Sequence, residues 1–102
     1  MNNLERLQMW YASQCDGEWE QHHGITIESL DNPGWGMKID LKGTPIEGKS
    51  FQTVTKNLTD AGQPEDKEWM KCFVKEGQFK GAGDFLRLDD MLATFLDWAE
   101  SR

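Results

Sequence analysis

Two runs of alternating hydrophobic and polar residues, separated by a turn signal, dominate the first half of the chain. Before the turn, the stretch from Gly24 to Glu28 places Ile25 and Ile27 on one face. After it, four apolar residues alternate with polar or small ones, namely Trp35, Met37, Ile39 and Leu41. This period is typical of half-buried strands. A type II turn is predicted at Asn32-Pro33-Gly34-Trp35, in which Gly34 would adopt the positive φ that the third position requires. The pattern predicts an antiparallel hairpin.

Helical spacing appears at the N-terminus, where residues Asn3 to Ser13 are predicted to form a helix. Asn2 or Asn3 provides its cap, and an apolar stripe runs along it through Leu4, Leu7 and Tyr11. Cys15 continues this stripe, and we expect it to pack under the helix as a small apolar residue. Asp16-Gly17 then ends the helix.

The second half of the chain contains three shorter β patterns. A weak strand is predicted at Phe51 to Asn57, followed by a loop at Thr59 to Lys67. Trp69 to Lys75 alternates so that Met70, Cys72 and Val74 face one way and Trp69, Lys71, Phe73 and Lys75 the other. A tight turn at Glu76-Gly77 leads into a short strand around Phe79.

The remaining residues complete one compact unit. Gly81-Ala82-Gly83 is predicted to break the sheet, and Asp89 or Asp90 opens a helix whose apolar side chains are Met91, Leu92, Phe95, Leu96 and Ala99. The order α-β-β-β-β-β-α predicts an α+β fold, a two-layer sandwich. Its antiparallel sheet has about five strands, with an N-terminal and a C-terminal helix packed on one face. Residues 1–102 are predicted to form a single domain.

Charge and hydropathy narrow the classes of partner. The chain has 18 acidic and 11 basic residues, a net charge of −7, and no basic stripe. Nucleic acid is therefore disfavoured as a partner, and a basic protein surface is favoured. No apolar run is long enough to cross a membrane, and the first residues lack an export signal. We expect a cytoplasmic protein with no membrane partner, whose Cys15 and Cys72 are reduced.

Several motifs carry a family resemblance. They are the run Trp10-Tyr11-Ala12-Ser13-Gln14-Cys15-Asp16-Gly17-Glu18-Trp19-Glu20, then Gly24-Ile25, Leu30-Asp31-Asn32-Pro33-Gly34-Trp35 and Ile39-Asp40-Leu41, and later Gly81-Ala82-Gly83 and Phe95-Leu96-Asp97-Trp98-Ala99-Glu100. In these the chain resembles the immunity protein 53 family. The resemblance implies a bacterial immunity protein, an antitoxin that binds the cognate toxin domain of a polymorphic toxin system without chemistry or a cofactor. It implies no particular toxin-contacting residues, and the stretch from Thr44 to Glu68 contributes nothing to it.

Two chemical alternatives involve cysteine and histidine. In the first alternative, Cys15 is the nucleophile of a small enzyme. However, Cys15 follows a helix and precedes acidic residues, whereas a reactive thiolate favours cationic surroundings. His22-His23 with Cys15 and Cys72 would be a zinc site, yet this spacing matches no zinc motif, and adjacent side chains on a strand point to opposite faces. We expect no metal and no cofactor.

The remaining candidates suit protein binding. Five carboxylates surround Trp19 and Trp35, and they would serve either as an acid and base pair of a glycosidase-like enzyme or as a docking surface for a basic toxin. Trp69 and Phe73 lie among lysines, a combination typical of protein interfaces. The candidate toxin-binding residues are therefore Asp16, Glu18, Trp19, Glu20, Asp31, Asp40, Trp69 and Phe73. An adaptor that binds another basic protein remains a further alternative.

Overall fold

The computed structural model of the protein describes residues 1–58 and 68–101. Its helices are α1 (Asn3–Gln14), α2 (Trp19–His22) and α3 (Leu88–Glu100), and its strands are β1 (Ile25–Leu30), β2 (Gly34–Asp40), β3 (Val54–Lys56), β4 (Met70–Lys75) and β5 (Gln78–Gly83). The five strands form one antiparallel sheet in the order β1-β2-β5-β4-β3. The α+β prediction is therefore confirmed, with the single turn α2 as an addition. The predicted loop at Thr59–Lys67 lies outside the described residues.

The core lies between the sheet and α3, which packs against β4 and β5, while α1 packs alongside α3. Phe79 on the central strand β5 is fully buried, and its ring centroid is 5.1 Å from that of Phe95 and 5.2 Å from that of Phe51. Other fully or almost fully buried side chains are Ile39, Leu41, Met70, Cys72, Met91 and Leu96. Burial of each large apolar side chain contributes roughly 1.5–3 kcal/mol, so this layer stabilises the fold.

The β1–β2 hairpin has the predicted direction, but its predicted apolar face is buried on β2 and not on β1, where Ile27 is 38% exposed, and its turn also differs from the prediction. Met37 and Ile39 are buried as expected, whereas Trp35 at the sheet end is only half-buried. Leu30 pairs with Gly34, so the loop consists of residues 31–33, and the φ of Gly34 is not positive. The type II turn was therefore wrong. Glycine is needed at position 34 because a Cβ there would lie 2.3 Å from the carbonyl oxygen of Gly83.

The prediction that Gly81-Ala82-Gly83 breaks the sheet was also wrong, because β5 continues through Gly83. Gly81 pairs with residues on both neighbouring strands. A Cβ on Gly81 would lie 3.1 Å from the sulfur of Met91, and one on Gly83 would lie 3.0 Å from the Cβ of Arg87. These glycines let α3 approach the sheet closely, a requirement that does not appear in the local sequence.

Helix α1 begins as predicted, with a capping box between Asn2 and Glu5. Its predicted stripe was partly wrong, because Leu7 is 5% exposed while Leu4 is 57% and Tyr11 38% exposed. The buried face turns toward α3 instead, and it includes Asn3, Arg6, Leu7, Trp10 and Gln14. Arg6 donates to Asp97 at 3.1 Å and to Glu100 at 2.7 Å, which ties the two helices together. These two hydrogen bonds raise the pKa of Arg6, and the bond to Glu100 makes the larger contribution.

The segment between β2 and β4 supports the C-terminal end of α3. Only Val54–Lys56 of the predicted strand pairs, but Phe51 packs on the core with its ring centroid 5.2 Å from that of Trp98. The ammonium group of Lys49 donates to the carbonyl oxygens of Trp98 at 2.7 Å and Ser101 at 2.6 Å. A cation at this helix end satisfies free carbonyls and interacts favourably with the helix dipole.

The connection from β5 to α3 is held by Asp84, which is 6% exposed. Its carboxylate accepts the backbone N–H of Phe85 at 2.8 Å and that of Glu68 at 2.6 Å. Helix α3 then begins at Leu88, directly before the two aspartates predicted to open it. This buried carboxylate therefore joins the starts of α3 and β4.

Candidate functional site

Four of the five predicted carboxylates lie at one end of the sheet, which we call the acidic corner: Asp16, Glu18, Glu20 and Asp40. Asp16 and Glu18 line a cleft of about 230 Å³ together with Trp19, His22, His23 and Gly43. Asp40 adjoins it, since one carboxylate oxygen lies 3.9 Å from Nδ1 of His23. Asp31 is in the hairpin loop, about 20 Å away along β2 given the rise of a strand. The structure therefore separates Asp31 from the others.

The loop between α1 and α2 is built around two of these carboxylates. Asp16 accepts the backbone N–H of Trp19 at 2.9 Å and that of Glu18 at 3.0 Å, and these bonds lower the pKa of the Asp16 carboxyl. The Glu20 carboxylate accepts the N–H of Asp16 at 3.0 Å and that of Gly17 at 2.9 Å. The Glu18 carboxylate is exposed and bonds to no described residue. Of the three, Glu18 is thus the side chain available to a partner.

Asp40 joins the corner to the sheet. One of its oxygens accepts the backbone N–H of Gly24 at 2.8 Å, and the other accepts the amide of Gln78 at 2.7 Å. Gly24 precedes β1 and Gln78 opens β5, so this carboxylate bridges the two strands on either side of β2. Its position is therefore both structural and adjacent to the cleft.

Trp19 lies in the interior of the corner. It is 6% exposed, and its indole N–H donates to the carbonyl oxygen of Lys42 at 2.8 Å. Its ring centroid is 6.3 Å from that of Trp10 and 6.1 Å from that of Tyr11, in edge-to-face geometry. Gly43, at φ +80, passes so close that a Cβ would lie 3.2 Å from the ring. Trp19 thus supports the corner from within rather than presenting its ring to a partner.

The other aromatic candidates lie elsewhere on the sheet. Trp35 donates its indole N–H to the carbonyl oxygen of Phe85 at 3.1 Å, at the hairpin end. Met70 and Cys72 are buried toward α3, which confirms that Trp69 and Phe73 occupy the opposite side, both half-buried. We call this side, which α3 does not cover, the open face. The carboxylates and tryptophans grouped in the sequence therefore do not form one constellation.

The two thiols have different environments, and they do not form a disulfide with each other. Cys15 is exposed, so its predicted packing role was wrong, and its Sγ donates to the carbonyl oxygen of Tyr11 at 3.3 Å. It follows the C-terminal end of α1, where the helix dipole disfavours a thiolate. Cys72 is fully buried, and burial raises the pKa of its thiol to about 12. Within residues 1–58 and 68–101, no group of three or more His, Cys, Asp or Glu side chains is arranged to hold a metal ion.

The prediction that Trp69 and Phe73 lie among lysines did not include Lys80, which completes a cluster on the open face. Lysines at positions 38, 71, 75 and 80 all point to this side, because they alternate with buried residues on three neighbouring strands. Lys71 places its ammonium group 5.2 Å from the centroid of the Phe73 ring. The signal was present in the alternation of each strand. Only the strand order and register bring the lysines together.

Comparison with known proteins supplies one match. The family described as Immunity protein 53 matches residues 4–100, nearly the whole chain. The matched range includes every helix and strand described above except the first residue of α1. Comparisons with curated proteins and with solved structures give no match. In the part of the chain that the structure describes, no helix is long and apolar enough to span a membrane.

Proposed function

This chain belongs to the immunity protein 53 family, and on that premise we propose that it binds and neutralises a cognate toxin domain of a bacterial polymorphic toxin system in the cytoplasm. The observation that carries the proposal is the family match over residues 4–100, which spans nearly the whole sandwich. Neutralisation by binding needs a stable surface and no reacting group. An enzyme that uses Cys15 or the acidic corner, and an adaptor for another basic protein, are the alternatives.

The direct test is co-expression with the toxin domain encoded beside this gene. We expect the chain to restore growth of cells that produce the toxin, and the purified pair to elute as a complex in which the toxin is inactive. If the toxin retains its activity in the presence of excess folded chain, the proposal is wrong. If the two proteins bind but the toxin stays active, the adaptor alternative is favoured.

Replacement of Cys15 by serine separates binding from thiol chemistry. We expect Cys15→Ser to protect cells as well as the original chain, because the thiol is exposed and its weak hydrogen bond to the carbonyl oxygen of Tyr11 is one that a hydroxyl can also make. Growth in the presence of the toxin measures protection, and thermal unfolding provides the folding control. Loss of protection in a variant with an unchanged melting temperature would favour an enzyme.

We further propose that the acidic corner receives a basic surface of the toxin. Its carboxylates border a cleft, and the net charge of the chain is −7, so the field in this region attracts a cation-rich partner. Such charges act mainly on the association rate, because they steer the partner before close contact forms.

The measurement that tests this docking is the association rate of Glu18→Lys with an inactivated toxin domain. We expect association to slow several-fold at low salt and much less at about 1 M salt, where the screening length falls to ~3 Å. Glu18 is the appropriate position because its side chain is exposed, whereas Asp16 and Glu20 hold the loop. Asp31→Lys, with the same charge change at the far end of β2, is the control. An equal effect of both variants, or no dependence on salt, would contradict docking at the corner.

A further inference from the structure

The open face concentrates positive charge around one aromatic ring. Lys80 on β5 is the cross-strand partner of Phe73 on β4 and of Lys38 on β2. Lys71 and Lys75 flank Phe73 on its own strand, two residues to either side, so their side chains point to the same face. We call these five residues the lysine face. The lysine face contains four of the 11 basic residues of the chain. Its charge is therefore positive, whereas the net charge of the chain is −7.

This arrangement is unfavourable for the isolated fold. Lys38 and Lys80 lie directly opposite each other on antiparallel strands, where like charges destabilise the pair. Among the described residues, none of Lys38, Lys75 and Lys80 forms an ion pair or a side-chain hydrogen bond. An arrangement that opposes stability, with no ion pair or side-chain hydrogen bond from these three lysines to the described residues, is typical of a site kept for binding.

The lysine face also combines one aromatic ring with small and charged neighbours. Gly36 and Ala82 are cross-strand partners on the open face, next to Lys71 on β4. Ala82 is a diagonal neighbour of Phe73, whose ring is half-buried, and the side chains of Leu30 and Glu28 lie close to Gly36. A flat aromatic bordered by charged residues provides an apolar anchor with a polar rim, which is the usual anatomy of a protein interface.

We propose that the lysine face binds an acidic patch on the toxin, whose apolar centre rests on Phe73. This inference rests on the proposed function and extends its interface. The lysine face adjoins the acidic corner, because Asp40 contacts Gln78, the cross-strand partner of Lys75. The toxin surface would then carry a basic patch beside an acidic one. Opposite patches on both partners set the orientation of the complex and exclude other partners.

A protein suits this face better than a nucleic acid does. Glu28 and Asp40 lie on the same side of the sheet as the lysines, and the net charge of the chain repels a polyanion. The described strands place no arginine on this face, although arginine is a frequent contact in nucleic-acid recognition. The remaining anionic partner is an acidic protein surface.

The test is the variant Lys80→Glu, measured against an inactivated toxin domain. The substitution converts the repulsion with Lys38 into attraction, so we expect the melting temperature to stay the same or rise. Toxin affinity is expected to fall by about tenfold, because a charge that faces the acidic patch is reversed. Lys56→Glu is the matched control, since it is exposed, carries the same charge change and pairs with Met70, whose side chain faces away from the open face.

The outcomes separate this inference from the proposed function. Weaker binding by Lys80→Glu without loss of stability, with Lys56→Glu within about twofold of the original chain, supports it. If the original chain binds the toxin and Lys80→Glu binds equally well, the lysine face is not part of the interface and the proposed function stands. If the original chain does not bind the toxin at all, both fail. Binding of a single-stranded oligonucleotide that Lys80→Glu abolishes and that the toxin does not displace would overturn the choice of a protein partner.

Discussion

Replacement of Phe79 by alanine is expected to lower the free energy of unfolding by about 3–5 kcal/mol, as for large aromatics removed from cores. The ring is fully buried on the central strand and contacts the rings of Phe51, Phe95 and Trp98. Its removal leaves a cavity that the sheet and α3 cannot both move to fill. Domains of this size are commonly stable by roughly 5–15 kcal/mol, so the variant would be largely unfolded under mild denaturing conditions. Urea unfolding measures the difference.

Phe73→Ala is the matched control for this prediction. Phe73 lies on the adjacent strand but on the open face, where it is half-buried rather than enclosed. We expect its removal to cost much less stability and to speed dissociation from the toxin instead. Equal losses of stability in the two variants would show that the open face is covered in the folded chain.

Gly34→Ala is expected to produce the second large loss, roughly 2–3 kcal/mol or more, as for steric overpacking of a rigid site. The new Cβ would lie 2.3 Å from the carbonyl oxygen of Gly83, a backbone atom that cannot rotate away. The β2 and β5 strands would have to separate at the pair between Trp35 and Gly83. Thermal unfolding reports the loss, and amide exchange near residue 35 reports its position.

Gly36→Ala is the matched control, two residues along the same strand. The nearest atom to a Cβ at this position is a methyl carbon of Leu30 at 3.4 Å, the end of a flexible side chain. We expect a change of less than about 1 kcal/mol, since alanine also loses less backbone entropy than glycine on folding. A similar loss in both variants would mean that strand propensity, and not the contact with Gly83, explains the effect.

The proposed interface combines charged and apolar contacts that respond differently to salt. Carboxylates around the cleft and lysines around Phe73 lie side by side, so screening by salt acts on both halves of the contact. The apolar centre at Phe73 is screened much less, and it should set the dissociation rate. Variants of Glu18, Lys80 and Phe73 therefore resolve the steering, orienting and anchoring contributions in one set of binding measurements.

Local sequence was sufficient to predict those elements whose conformation depends on residues adjacent in the chain. Alternation predicted β2 and β4, helical spacing predicted α1 and α3, and the asparagine cap of α1 was identified correctly. The turn at Glu76-Gly77 was also correct, since both residues have positive φ, at 54° and 77°, as a two-residue hairpin loop requires. In each case the determinant is the backbone preference or periodicity of a few adjacent residues.

The glycines show where local reading fails. Gly34, Gly81 and Gly83 were interpreted as turn or breaker residues, yet all three lie within strands. Their role is to let a second backbone or a helix approach, and the atoms they avoid belong to Gly83, Met91 and Arg87. The buried face of α1 was misassigned for the same reason, because α1 packs against α3, which is distant in sequence.

The same distinction between local sequence and tertiary contacts applies to the candidate site. The sequence by itself determined which residues carry charge and aromatic surface, and the family match agrees with the resemblance seen in its motifs. The tertiary structure decided that Trp19 is buried, that Asp31 lies apart from the acidic corner, and that lysines from three strands surround Phe73. Side-chain chemistry and local periodicity are properties of short segments. Burial and the proximity of charges depend on contacts between segments that are distant in sequence, and only strand register and helix packing specify those contacts.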